Sequence, residues 1–126
     1  MATDQGNDAA VVAPDGVRYT FNSLHFHTPA ENTVDGVANA MEMHMVHLSE
    51  AGDIAVLGVL FRHADAELPA NAEVTKLLRK IDADGGKTKV AVDLGGLYDG
   101  GAGFWEWTGS LTTPPCSGNV RWLLQK

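Results

Sequence analysis

Apolar and polar residues alternate over Val17-Arg18-Tyr19-Thr20-Phe21, the pattern of a strand with one buried face. Pro14-Asp15-Gly16 ahead of it is a turn signal, and extended character continues through Ser23–His27 until Thr28-Pro29 interrupts it. Thr33-Val34-Asp35-Gly36 marks a second turn. Met41–Leu48 reads as a further strand, although Met and Glu suit a helix as well and the local pattern leaves both open. Ala51-Gly52-Asp53 is a tight hairpin-type turn, and Ile54–Phe61 is almost continuously apolar, as befits a strand buried on both faces. Residues 41–61 are thus expected to form a hairpin. At Val74, Leu77, Leu78 and Ile81 the spacing becomes helical, which predicts one short helix near 72–82, with Asn71 in its capping region and Gly85-Gly86 ending it. Lys87–Leu94 is expected to be one more strand, the glycine-rich Gly95–Gly103 a loop, and Phe104–Trp107 extended chain. Pro114-Pro115 bars Leu111–Pro115 from a central strand, and Val120–Leu124 makes a final short one. The expected class is mainly β, a twisted and mostly antiparallel sheet with one short helix. The small polar residues of 1–10 predict a frayed start.

With 126 residues the chain has room for a single core, and 44% hydrophobic with 20% charged residues excludes wholesale disorder. Nine Lys+Arg against sixteen Asp+Glu leave a net charge of −7, so neither nucleic acid nor an anionic membrane is an expected partner. No apolar run approaches the ~20 residues of a bilayer span. Met1–Ala10 lacks the basic-then-apolar order of a secretory leader. The one cysteine, Cys116, excludes an internal disulfide and a cysteine-rich metal site. That leaves five histidines as the carriers of chemistry.

His25 and His27 stand two apart on a predicted strand, so both rings leave the same face. His44 follows in Glu42-Met43-His44-Met45-Val46. A turn between 28 and 40 would lay this strand antiparallel beside the first and put His25, His27 and His44 on one face. Three neutral imidazoles with a fourth place open suit a catalytic Zn²⁺. Glu42 shares the face of His44 and is placed to accept from a non-ligating ring nitrogen. A His-x-His pair is by itself common. His47 falls on the other face with Met43 and Met45 and reads as a hydrogen-bonded core histidine; His63, among Arg62, Asp65 and Glu67, reads as solvated. The Met41-Met43-Met45 alternation reads as core filling, Cys116 as a structural or orphaned thiol, and Trp105 and Trp107 as packing.

These motifs carry a resemblance. Leu24-His25-Phe26-His27-Thr28-Pro29-Ala30-Glu31-Asn32 resembles the zinc-ligand strand of α-class carbonic anhydrases of the bacterial type, and Met41-Glu42-Met43-His44-Met45-Val46-His47 resembles their third-ligand strand. Ala55–Val59 is similar to the strand that follows. Gly109–Cys116 with Val120-Arg121-Trp122 resembles the gatekeeper loop and the strand after it. The resemblance covers roughly residues 17–125. It implies one Zn²⁺ per chain on His25, His27 and His44, and reversible hydration of carbon dioxide to bicarbonate and a proton by zinc-bound hydroxide. It further implies Thr112 as gatekeeper donating its proton to Glu31. Glu42 would stand behind His44, Val46, Val56, Leu111 and Trp122 would line the apolar substrate pocket, and Thr113 would face the bicarbonate side. Sulfonamide-type anions are the implied inhibitors.

The chain also departs from that pattern. An α-class domain is about twice this length, which implies a single partial domain over 1–126, truncated at both ends, with exposed sheet edges that favour self-association. No residue matches the usual proton-shuttle histidine. Ser23 stands where the family commonly has Gln behind a zinc ligand, and Cys116 lacks the partner that bacterial members supply. Bacterial relatives are often exported. Two alternatives therefore stand beside the enzyme: a fragment that binds zinc with little or no turnover, and a non-catalytic binding module.

Overall fold

The structure, a computed structural model, describes residues 9–89 and 92–126. Residues 1–8 of the expected frayed start lie outside the described residues, but Ala10 opens strand β1 (Ala10–Val12). Ala10 and Val11 are buried, and Ala9 O accepts from Phe21 N at 2.6 Å, so ladder bonds and apolar contact hold this stretch. The turn at Pro14-Asp15-Gly16 is closed by Gly16 N donating to Ala13 O, and leads into β2 (Arg18–His27). The ribbon β3 (Thr33–Val34) and β4 (Val37–Ala38) turns at Asp35 and Gly36, both at positive φ, the conformation that a two-residue hairpin requires. Then come β5 (Met41–Ser49), β6 (Ile54–Phe61), β7 (Phe104–Gly109) and β8 (Val120–Gln125).

The strands form a six-stranded sheet in the order β1-β2-β5-β6-β8-β7, antiparallel throughout except for the parallel pair β6–β8. Strand wins over helix at 41–48 because β2 and β6 flank the segment and satisfy its backbone from both sides. Met43 and Met45 are fully buried fillers. Trp105 departs from its expected packing role: at the β7 edge it stays 41% exposed, with Lys126 Nζ 5.6 Å from the ring centroid.

Two compact units are distinguished, one running to Arg62 and resuming over Gly100–Lys126, the other His63–Asp99. In the second, helix α1 (Ala72–Ala83) is capped by Asn71, whose Oδ1 accepts from Val74 N at 3.0 Å, and it buries Val74 and Leu77. The strand expected at Lys87–Leu94 is corrected. Residues 87–89 have no regular structure, 90 and 91 lie outside the described residues, and Leu94 begins a 3-10 turn (Leu94–Gly96). Asp93 Oδ1 accepts from Gly95 N at 3.0 Å, a local side-chain bond that competes with strand pairing.

Candidate metal centre

The site lies in the first unit, on one face of β2, β5, β6 and β8. A single extra residue decides which face. Phe21 pairs with His47, yet Ser23 pairs with Val46, so Asn22 bulges out of the ladder. The bulge reverses the alternation. Tyr19 and Phe21 go to the His47 face, where Tyr19 packs with Ala13 and Ala55. Ser23, His25 and His27 go to the face of Val46, His44 and Glu42.

His25 lies opposite His44, and His27 opposite Glu42. The three rings converge, with centroids 4.8 Å (His25–His27), 5.1 Å (His25–His44) and 4.7 Å (His27–His44) apart. One nitrogen from each lies within 4.8 Å of the others. Burial deepens from the exposed His25 through His27 to His44, which is 1% exposed. Burial, with the neighbouring rings of His44 and His27 against the pull of Glu31, lowers the pKa of His25 below the usual imidazole value. The neutral form, the one that ligates metals, is favoured.

Glu42 is 0% exposed and accepts Glu31 N at 2.9 Å, Asn32 N at 2.8 Å and Asn32 Nδ2 at 2.6 Å. His44 Nε2 lies 2.9 Å from Glu42 Oε1, at bonding distance but off the ring N–H line. Burial alone would raise the Glu42 pKa; His44 and the two Asn32 donors outweigh it and hold it at about 2. The carboxylate turns His44 so that Nδ1, 4.0 Å from Glu31 Oε2, is the nitrogen left for the cluster. Glu31 also places Oε1 3.5 Å from His27 Nδ1, and its Oε2 accepts from Thr112 Oγ1 at 2.8 Å.

Beside the rings is an apolar wall. Val56, Val120 and Trp122 are buried together, with Val46, Ile54, Trp107 and Leu111 packed against them. Trp122 meets His44 edge-on at 4.9 Å, lies parallel to Trp107 at 5.8 Å, and donates Nε1 to Ser110 O at 3.0 Å. That last bond, with Leu111 N donating to Ser117 O at 2.9 Å, ties the 110–117 loop to the wall. Thr113 is exposed on this loop and its carbonyl accepts from Cys116 N at 2.8 Å. Ser23 is exposed and accepts from its neighbour Asn22 Nδ2 at 3.2 Å. Away from the cluster, His47 is buried with Nδ1 2.9 Å from Met45 O, His63 is exposed in the other unit, and Cys116 is an exposed free thiol.

Sequence reasoning missed Asn32 as the main clamp on Glu42, and missed the Asn22 bulge. Asn32 sits in the turn motif after Thr28-Pro29, where a side-chain amide is well placed to bond backbone or neighbours, so its residue type was the available signal.

The family described as eukaryotic-type carbonic anhydrase matches residues 3–126. The chain belongs to the α-class carbonic anhydrases. The carbonic anhydrase of Klebsiella pneumoniae is 39% identical over 121 residues, covering 94% of this chain and 48% of that protein. Alpha carbonic anhydrase 3 of Arabidopsis thaliana is 36% identical over 123 residues, covering 94% of this chain and 43% of that protein. The α-carbonic anhydrase of Thermovibrio ammonificans, solved with the inhibitor sulfanilamide, superposes with a TM-score of 0.81 at 37% identity, over 94% of this chain and 51% of that one. The chain thus spans about half the length of the curated relatives it matches.

Proposed function

We propose that this site binds one Zn²⁺ through His25, His27 and His44 and carries out the reversible hydration of carbon dioxide to bicarbonate and a proton. The observation that carries the reading is the convergence of three imidazoles directly against the apolar wall, with the Thr112–Glu31 pair at their side. The donor set fits the metal. His27 Nε2 is buried with no hydrogen-bond partner, a costly state for a ring nitrogen that a metal bond relieves. Neutral imidazoles leave the charge of a divalent ion undiminished. Zn²⁺ bound there would supply a Lewis acid open to water, the chemistry for which the carbonic anhydrase site is itself the reference case.

The chain's residues do the rest. Glu31, as a carboxylate, can only accept, so it takes the single proton of Thr112. The Thr112 oxygen is then left with lone pairs toward the site. It accepts from a group that brings a proton and disfavours one that brings none, which both orients a hydroxyl and discriminates among anions. Carbon dioxide is uncharged, and Val46, Val56, Leu111 and Trp122 offer it an uncharged wall beside the histidines. Thr113, on the same exposed loop, borders the side from which bicarbonate departs. A sulfonamide anion, which carries an N–H, meets the Thr112 requirement and is proposed as an inhibitor at this place.

Stopped-flow measurement of carbon dioxide hydration, paired with zinc stoichiometry, tests the reading. One zinc per chain with sulfonamide-sensitive hydration is the expected result. One zinc per chain without sulfonamide-sensitive hydration would assign the chain to zinc binding without turnover. Thr112→Ala is expected to lower kcat/KM on the order of 100-fold through loss of orientation while zinc stays bound.

A further inference from the structure

Gly58 occupies the middle of β6, directly opposite His44 on β5. Its φ is not positive, so the backbone there does not require a glycine. A glycine inside a strand weakens it and loses side-chain packing, and in a run as apolar as Ile54–Phe61 its presence calls for a spatial reason. The reason is visible in what a side chain would meet. A Cβ at Gly58 would lie 3.0 Å from Glu42 Oε1, 3.0 Å from Leu124 Cδ1 and 3.9 Å from His44 Cδ2. These neighbours differ in their ability to yield. Leu124 presents the end of a flexible side chain. The Glu42 carboxylate is fixed by two backbone N–H groups and the Asn32 amide, and yields only by giving up bonds in a buried place.

We propose that Gly58 is a positioning residue for the metal centre: its empty Cβ place is the seat in which the Glu42 carboxylate holds His44. The inference rests on the zinc reading of the three histidines. A methyl group at position 58 forces its neighbours to give by a few tenths of an ångström, and where the Glu42 carboxylate gives, its hold on the His44 ring loosens. Substitution of groups that orient a ligand lowers metal affinity by about 10–100-fold, and Gly58→Ala is expected within that range although it touches no ligand nitrogen.

The test measures zinc release to a chelator from the full chain. Gly58→Ala is expected to accelerate release about tenfold over the unsubstituted chain. In a Glu42→Ala background the seat is already vacated, and adding Gly58→Ala is expected to change release less than about twofold. A general packing role for Gly58 predicts equal acceleration in both backgrounds and would overturn the proposal, as would a Gly58→Ala chain that releases zinc at the original rate. Should Gly58→Ala fold poorly through the Leu124 contact, Leu124→Ala removes that contact. The pair Gly58→Ala/Leu124→Ala is then compared with Leu124→Ala alone, and the same tenfold acceleration is expected. Failure of the underlying zinc reading looks different: the unsubstituted chain would itself bind less than one zinc.

Discussion

His44 and His47 stand three residues apart on β5, both almost wholly buried, and they face opposite sides of one sheet. On the His47 side the ring donates Nδ1–H to Met45 O on its own strand, at 2.9 Å, and meets Phe21 edge-on at 5.7 Å. Burial lowers the pKa of His47 and keeps it neutral, with the Met45 carbonyl a weaker opposing influence. On the His44 side the ring is turned by a carboxylate and grouped with two other rings. Equal residue type and equal burial therefore give unequal chemistry. A histidine whose polar atoms are met by its own strand is packing; one whose neighbour is a clamped carboxylate, with a nitrogen left over toward two more rings, is placed where it could bind a metal.

Removing each ring should break the symmetry most strongly. His44→Ala is expected to reduce zinc affinity by more than about 100-fold, beyond the range for groups that merely orient a ligand. Isothermal titration calorimetry reads this directly. Glu42→Ala comes next, with zinc affinity down about 10–100-fold and a stability loss of about 1 kcal/mol for each of the three part-buried N–H bonds it gives up. A chemical denaturation series on the zinc-free chain separates the second effect from the first. His47→Leu is expected to cost about 1 kcal/mol of stability through loss of the His47–Met45 hydrogen bond, while the folded fraction still takes one zinc.

The smallest effect belongs to the ion network on the His47 face. Arg121 binds Asp15 through two nitrogens at 2.6 and 3.2 Å and Glu106 through Nε at 3.1 Å, with Tyr19 below the guanidinium. The Arg121 bond lowers the pKa of the exposed Asp15 below its usual 3.8. A carboxylate lowered in this way stabilises the fold above its unfolded-state value and loses that contribution as pH falls through the folded-state value. The melting temperature of Asp15→Asn should therefore lie slightly below that of the unsubstituted chain at pH 6, and the two should converge as the pH is taken below 3.8. Zinc content should be indifferent to this substitution.

The clustering of His25, His27 and His44 was legible because it needs only period-two alternation, a turn between 28 and 40, and two adjacent strands. The Thr112–Glu31 pair was not legible from spacing: 81 positions separate its members, and only the resemblance joined them. The Asn22 bulge escaped because unbroken alternation from Val17 to His27 would have placed Tyr19 and His25 on one face, and nothing in a polar Asn distinguishes a paired residue from an extra one. The strand expected at Lys87–Leu94 gave way to the Asp93 side chain, which bonds the backbone two residues on and so turns the chain. Trp105 and Trp107 share the edge strand β7, yet Trp107 stacks on Trp122 while Trp105 stays exposed beside Lys126, a difference that residue type does not show.

The parallel β6–β8 pairing joins residues far apart in the chain, so sequence separation predicts that it forms after the antiparallel pairs β2–β5 and β5–β6. The three clustered histidines come from neighbouring strands within residues 18–61, which are close in sequence. Trp122 pairs with Val56 across 66 positions of chain. The rings of His25, His27 and His44 are thus expected to come together before Trp122 closes the apolar face beside them.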